Sequence, residues 1–228
     1  MRIEVWSDIV CPWCYIGKRR LETAITGFNH PVEIAWRSFE LDPSAPRTSK
    51  YPLDEALARK YGMSIRRARQ MMDQVTATAA EEGLEFDFSK AKGGNTFDAH
   101  RLLHFAAQKG VQNAMKERLL RAYFSEGRAI SDRQELATLA ADVGLSADQA
   151  RAALDDGDFA AEVRNDEARA RELGVRGVPY FLIDEHFALS GAQPADVIVA
   201  ELRRAQAQKG SGSGGDDASC EDGFCSIE

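Results

Sequence analysis

The chain has no long apolar run, no excess of basic charge and few cysteines, and each shortage removes a class of function. No segment approaches the roughly 18 consecutive apolar residues of a membrane-spanning helix. Met1-Arg2-Ile3-Glu4 leads at once into a strand-like run, without a charged stretch followed by an apolar one as in a secretory leader. The expectation is a cytoplasmic protein with no membrane partner. Lys and Arg number 29 against 36 Asp and Glu, for a formal charge of −7. Asp216, Asp217, Glu221, Asp222 and Glu228 account for most of that imbalance, leaving 29 basic against 31 acidic residues before residue 210. A nearly neutral body has no field to attract a polyanion, so no nucleic-acid partner is expected. The four cysteines stand as two close pairs, which in a cytoplasmic chain reads as redox or metal chemistry, because structural disulfides are rare there.

What is present centres on Val10-Cys11-Pro12-Trp13-Cys14. Ile3, Val5 and Trp6 precede it in a β-compatible run, and Cys14, Gly17, Leu21, Ala24 and Ile25 follow at helical spacing. The pair therefore marks a strand-to-helix junction. Cys11 falls at the helix cap and Pro12 in the first turn, where a missing N–H costs nothing, while Cys14 points down the buried stripe. Unpaired amides and the positive end of the helix dipole favour a thiolate at Cys11, which is expected to ionise below the free value of about 8.5. Cys11 is then the attacking sulfur, and Cys14, one turn on, displaces the mixed disulfide. C-x-x-C is also half of many zinc sites, which need a second ligand pair. Far downstream, Pro179 in Gly177-Val178-Pro179-Tyr180-Phe181 follows a β-branched residue and opens an apolar run. It reads either as one of the few X-Pro bonds held cis or as a strand-starting proline.

At 228 residues and 44% hydrophobic content the chain can bury a substantial core. Residues 1–8 read as a strand, 11–27 as a helix and 32–39 as a second strand, a βαβ unit with a right-handed crossover. From Leu53 to about Leu173 nearly all signals are helical, with about six helices expected. Ser64, Thr96, Ser131 and Ser146 are cap candidates, and Gly83, Gly110, Gly127, Gly144 and Gly174 are plausible stops. Residues 180–183 and 187–189 flank Asp184-Glu185-His186 as a hairpin, and 194–208 read as a closing helix. Ser211-Gly212-Ser213-Gly214-Gly215 has the composition of a flexible linker to an acidic tail.

That tail holds Cys220 and Cys225 around Asp222-Gly223, a strong two-residue hairpin pattern. Opposed across such a hairpin, the two cysteines would have Cα atoms about 4.5–5.5 Å apart, within disulfide range. A structural staple, a redox relay to the first pair, and a four-sulfur metal site of Cys11, Cys14, Cys220 and Cys225 are the alternatives. The span back to Cys11 exceeds the typical span of the linker, so a local Cys220–Cys225 disulfide is expected. His100 and His104 share a helix face at i, i+4, a spacing that suits a metal, but no third ligand is evident. Lys18-Arg19-Arg20 and Arg66-Arg67 read as solvated faces.

Taken together, these motifs resemble the DsbA-like thioredoxin-fold oxidoreductases, in particular their FrnE branch. Besides the two motifs around Cys11 and Pro179, the likeness runs through residues 95–102, Ala122-Tyr123-Phe124, residues 174–179 and residues 190–194, and covers about residues 1–205. It implies an α/β thioredoxin fold from residues 1–50 and 174–209, a helical insertion over 51–173 and a flexible C-terminal extension over 210–228. It further implies a cis Pro179 packed on the cysteine pair, leaving little room for metal. Pro12, Trp13, Val178, Tyr180 and His100 would border a groove for protein thiols or disulfides, Cys11 and Cys14 would be catalytic, and no cofactor beyond the cysteines would be needed. Glutathione or a dithiol would supply electrons. Related oxidoreductases carry a buried acid six residues before the first cysteine; here Val5 stands there, with Asp8 a displaced substitute. Relatives of the hydroxychromene-carboxylate isomerase type, which typically carry serine in place of Cys11, and peptide-binding chaperone modules are the competing functions.

Overall fold

The computed structural model describes residues 1–211. The calls made on Cys220 and Cys225, the staple, the relay and the four-sulfur site, lie outside the described residues. Strand β1 (Arg2–Ser7) is followed by helix α1 (Pro12–Thr26) and strand β2 (Glu33–Ser38). β1 and β2 run parallel, with Ile3 opposite Ile34 and Val5 opposite Trp36. Strands β3 (Tyr180–Ile183) and β4 (Phe187–Ser190) complete a sheet of order β2-β1-β3-β4, in which β3 is antiparallel to both of its neighbours. Helix α9 (Ala195–Ser211) closes the described chain. This is the architecture that the resemblance implies.

Between β2 and β3 run seven helices, one more than the glycine and cap spacing suggested: α2 (Leu53–Tyr61), α3 (Ile65–Glu81), α4 (Phe97–Gln108), α5 (Gln112–Phe124), α6 (Arg133–Ala141), α7 (Ala147–Asp156) and α8 (Ala160–Glu172). Ser64 and Ser146 cap α3 and α7 by accepting from the amides of Arg67 and Gln149. Two of the expected caps are corrected. The Asp132 side chain, rather than Ser131, takes the amides of Gln134 and Glu135 ahead of α6. Thr96 occupies the cap position of α4, but the Phe97 amide bonds to Asn95 Oδ1 at 2.8 Å. At α6 a carboxylate one residue on takes the amides that the Ser131 hydroxyl was expected to cap, and at α4 the Thr96 hydroxyl caps none.

The helices and the sheet enclose α1 from two sides. Leu21 and Ala24 pack with Ile3, Val5, Phe181, Ile183, Ile198 and Leu202 between the sheet and α9. Tyr15 and Ile16 enter a second core with Leu102, Phe105, Met115, Leu119 and Phe124. The other face of the sheet is covered by α8, where Trp6 and Leu182 meet Ala170 and Trp6 Nε1 donates to the Asp166 carbonyl at 2.9 Å.

Polar contacts tie α5 to α1, and here the expected solvated face at Lys18-Arg19-Arg20 is overturned. Lys18 is buried, and its Nζ lies 2.5 Å from Glu22 and 2.7 Å from Glu117; Arg19 also pairs with Glu117, and Arg20 with Glu82 at 2.6 Å. Tyr15 Oη donates to Glu117 at 2.6 Å. Burial opposes charge on Glu117, but the bonds from Arg19, Lys18 and Tyr15 prevail and lower its pKa to about 2. A lowered carboxyl adds stability that is present above the unfolded value of about 4.3 and lost as pH falls through the folded one. Glu117→Gln should therefore cost about 1–2 kcal/mol at pH 7, allowing for partial exposure. The gap between the two unfolding free energies should close as pH falls from about 4.3 toward 2, as read by urea titration. A gap that stays constant over that range refutes the clamp.

Candidate active site

Cys11 is the N-cap residue of α1, in extended backbone conformation with φ −89° and ψ 112°, and Pro12 opens the helix. The Cys14 amide closes the first turn on the Cys11 carbonyl at 3.0 Å. Both cysteines are free thiols, 4% and 1% exposed, whereas Trp13 between them is 42% exposed. Seven residues of the candidate site, Cys11, Pro12, Trp13, Cys14, Val178, Pro179 and Tyr180, thus share one helix start and one loop. In that loop the Val178–Pro179 bond is cis, and the Cys11 thiol donates to the Val178 carbonyl at 3.6 Å. Tyr180 follows, half-buried, with its ring edge-on to Trp6 at 6.0 Å. Gly17, one turn beyond Cys14, lets the loop approach: a Cβ there would meet Pro179 Cγ at 2.9 Å and Phe181 Cζ at 3.4 Å.

His100 does not border this groove. Its side chain is fully buried, with Nε2 3.2 Å from Asp8 Oδ1 and Nδ1 without a hydrogen-bond partner. The expected substrate contact is therefore replaced by a contact beneath the site, because α4 carries this residue on its core-facing stripe with Leu103 and Ala99. His104 turns to Asp166 and Ser38, each at 3.1 Å, so the two histidines do not converge on one point. Among the described residues no three His, Cys, Asp or Glu side chains are grouped to hold a metal.

Asp8, just after β1, accepts from the Ile9 amide at 2.7 Å and the Leu41 amide at 2.8 Å as well as facing His100. Burial works against its charge, but the His100 hydrogen bond and charge, the Leu41 amide and Lys116 hold it below the usual carboxylate range. Lys116 of α5 is completely buried beneath the pair, and neither it nor Ser7 stood out in the sequence. Helical spacing offered one clue, since Lys116 shares a stripe with Leu120 and Tyr123, both buried.

The ionisation of the pair corrects the expectation for Cys11. The hydrogen bond with Cys14, then burial, push the Cys11 thiol well up. Cys14 is also opposed by burial, yet the contact with the Cys11 thiol and then the Lys116 charge bring it below its ordinary value. The two thiols therefore ionise as a coupled pair, a charge on one opposing a charge on the other. The helix-start amides alone do not decide the order, because the Lys116 charge favours a thiolate on Cys14.

A family model described as a DSBA-like thioredoxin domain matches residues 2–203. The chain belongs to the DSBA-like thioredoxin family. A crystal structure of a probable DsbA oxidoreductase, SCO1869 from Streptomyces coelicolor, is 40% identical with a TM-score of 0.87, covering 100% of this chain and 94% of that one. The uncharacterized protein YwbO of Bacillus subtilis (strain 168) is 30% identical over 213 residues, 92% of this chain and 99% of that protein. The cytosolic disulfide reductase DsbM from Pseudomonas aeruginosa shares the fold at 20% identity, with a TM-score of 0.60 and coverage of 93% and 98%. Within the described residues of this DSBA-like chain no helix is long and apolar enough to cross a membrane.

Two outcomes follow from this geometry. Removing Cys14 removes the hydrogen bond and the charge that push Cys11 up, so in Cys14→Ser the Cys11 thiolate should form at lower pH than the second thiol ionisation of the intact pair. Absorbance at 240 nm against pH reads it, in chains with Cys220 and Cys225 changed to serine; an unmoved second ionisation would refute the coupling. Gly17→Ala should drive the Pro179 loop away from α1 and cost about 1–3 kcal/mol by overpacking, more than the helix propensity gained. An unfolding midpoint equal to or above that of the parent would show that the loop yields.

Proposed function

We propose that this chain is a thiol-disulfide oxidoreductase that acts on protein disulfides in the cytoplasm, in the manner of the FrnE branch, as a reductase or isomerase. The observation that carries the reading is a single one: two free thiols at an N-cap, the first bonded to the carbonyl that precedes a cis proline, beside an exposed tryptophan. In the attack, the Cys11 thiol gives up its proton and its sulfur forms a bond to one substrate sulfur. The substrate disulfide breaks, and its other sulfur leaves as a thiolate that takes up a proton. Cys14 then loses its proton and attacks Cys11; the mixed disulfide breaks, the second substrate thiol departs, and the pair is left oxidised. The dithiol has lost two electrons and the substrate disulfide has gained them.

Trp13, Pro12, Val178 and Tyr180 would contact substrate, with the Val178 backbone pairing with an extended segment. Glutathione or a dithiol would return electrons to the pair, and Cys220 with Cys225 would act as a second redox pair. The cytosolic glutathione poise lies below the potentials of strongly oxidising relatives, which favours reduction and isomerisation over net oxidation.

Turnover of a fluorogenic disulfide peptide with glutathione as donor tests the reading. The parent should turn over, Cys11→Ser should lose at least a hundredfold, and Cys14→Ser should accumulate a peptide-linked protein by mass. Full turnover by Cys11→Ser, or no adduct on Cys14→Ser, rejects it.

A further inference from the structure

Lys116 is set apart from the other buried cation of this region. Lys18 is buried between two carboxylates, at 2.5 and 2.7 Å. Lys116 is fully buried with no ion pair to a carboxylate among the described residues. Its Nζ makes one long bond, to the Ser7 carbonyl at 3.5 Å, and lies 5.6 Å from the centre of the Trp36 ring. A desolvated ammonium with three donors and one weak partner is costly to keep, and burial without a structural partner points to a functional one. The partner is placed by the chain. Lys116 bonds to the carbonyl of Ser7 at the end of β1, where the buried Ser7 hydroxyl also has no hydrogen-bond partner, and from there its charge favours a thiolate on Cys14.

Asp8 is not suited to receive the proton of Cys14. Its oxygens are occupied by Ile9, Leu41 and His100, and it is held ionised. Its negative charge opposes a thiolate on Cys11. The position that an acid fills in related oxidoreductases is apolar here, at Val5, and the charge beneath the pair has the opposite sign.

We propose that Lys116 is the counter-charge of the resolving sulfur: from α5 its ammonium stabilises a thiolate on Cys14 in the mixed disulfide and thereby speeds release of the substrate. The inference rests on the redox reading above and assigns Lys116 a positioning role by charge, without contact to substrate. When the substrate's first thiolate leaves, it takes up a proton, and Cys14 gives one up; the ammonium remains as Cys14 attacks, the Cys11–substrate bond breaks, and the second thiolate is protonated as it departs. The charges that face Lys116 are consistent with this. Burial weakens its proton affinity, Cys14 is the foremost group that restores it, followed by Asp8 and Cys11, and Lys18 opposes; the result is a pKa of about 8. His100 from α4 and Tyr123 from α5 act on this set through Asp8.

The test uses the full chain with Cys220 and Cys225 changed to serine, so that one pair reports, and compares it with Lys116→Met. In stopped flow with a fluorogenic disulfide peptide, the first phase reads attack by Cys11 and the second reads resolution by Cys14. At pH 7 the second phase should slow about tenfold in Lys116→Met, the effect of a one-unit rise at Cys14, and the deficit should shrink as pH rises toward 10. A tenfold loss of thiolate stabilisation in the reduced pair should also lower the reduction potential by about 30 mV. Replacing an unpaired buried charge by an apolar side chain should leave the unfolding midpoint unchanged or higher. Equal second phases and equal potentials overturn the inference, while a parent protein that shows neither phase overturns the redox reading instead. If Lys116→Met fails to fold, the parent still decides, by NMR of ε-13C-labelled lysine. By linkage the buried lysine that titrates near 8 must titrate higher in the dithiol form than in the disulfide form, and equal values in the two redox states overturn the assignment.

Discussion

The rest of the structure depends on α1 being gripped along both faces while Trp13 in its first turn stays exposed. Leu21 and Ala24 are fixed by the sheet and α9, Tyr15 and Ile16 by the helical core, and Gly17 by the Pro179 loop. Each large apolar side chain buried in this way contributes on the order of 1.5–3 kcal/mol, so the helix cannot shift without losing contacts on one side or the other. A helix start held so firmly keeps its cap geometry, and with it the position of Cys11 against Val178.

The same grip orients the charge beneath the pair. Lys116 and Glu117 are adjacent on α5, about 100° apart around the helix, so one turns inward while the other faces α1. Glu117 is held by Tyr15, Lys18 and Arg19 at once, which fixes the rotation of α5 about its axis. Fixing that rotation aims Lys116 at the end of β1. The ion-pair cluster at the surface of α1 and the unpaired ammonium below it are therefore parts of one arrangement, the first half-exposed and satisfied, the second dry and available to the sulfur.

Much of this was legible in the sequence because it is local. The strand run, the helical spacing after Cys14 and the β-branched residue before Pro179 placed the sheet, the cysteine pair and the Pro179 loop, and the element boundaries fall within two or three residues of those observed. What escaped depends on partners far along the chain. Whether Lys18 faces water or Glu117 is settled 99 residues downstream. His100 reads as a groove residue until Asp8, 92 residues upstream, is seen to accept it. Ser131 and Asp132 are both good caps, and their competition is resolved by backbone geometry that composition does not encode.

Lys116 shows why a motif read alone assigns the sulfurs but not their proton chemistry. The amides at the start of α1 favour negative charge near both cysteines, and they belong to the motif itself. One charge that favours a thiolate on Cys14 comes instead from α5, roughly a hundred residues away, where Lys116 bonds to the Ser7 carbonyl. The redox poise of a C-x-x-C pair follows from how strongly its thiolate is stabilised. Under the role proposed for Lys116, part of that stabilisation comes from the helical segment inserted between β2 and β3, so two chains with identical Cys-Pro-Trp-Cys motifs would differ in poise according to what their fifth helix presents to the end of the first strand.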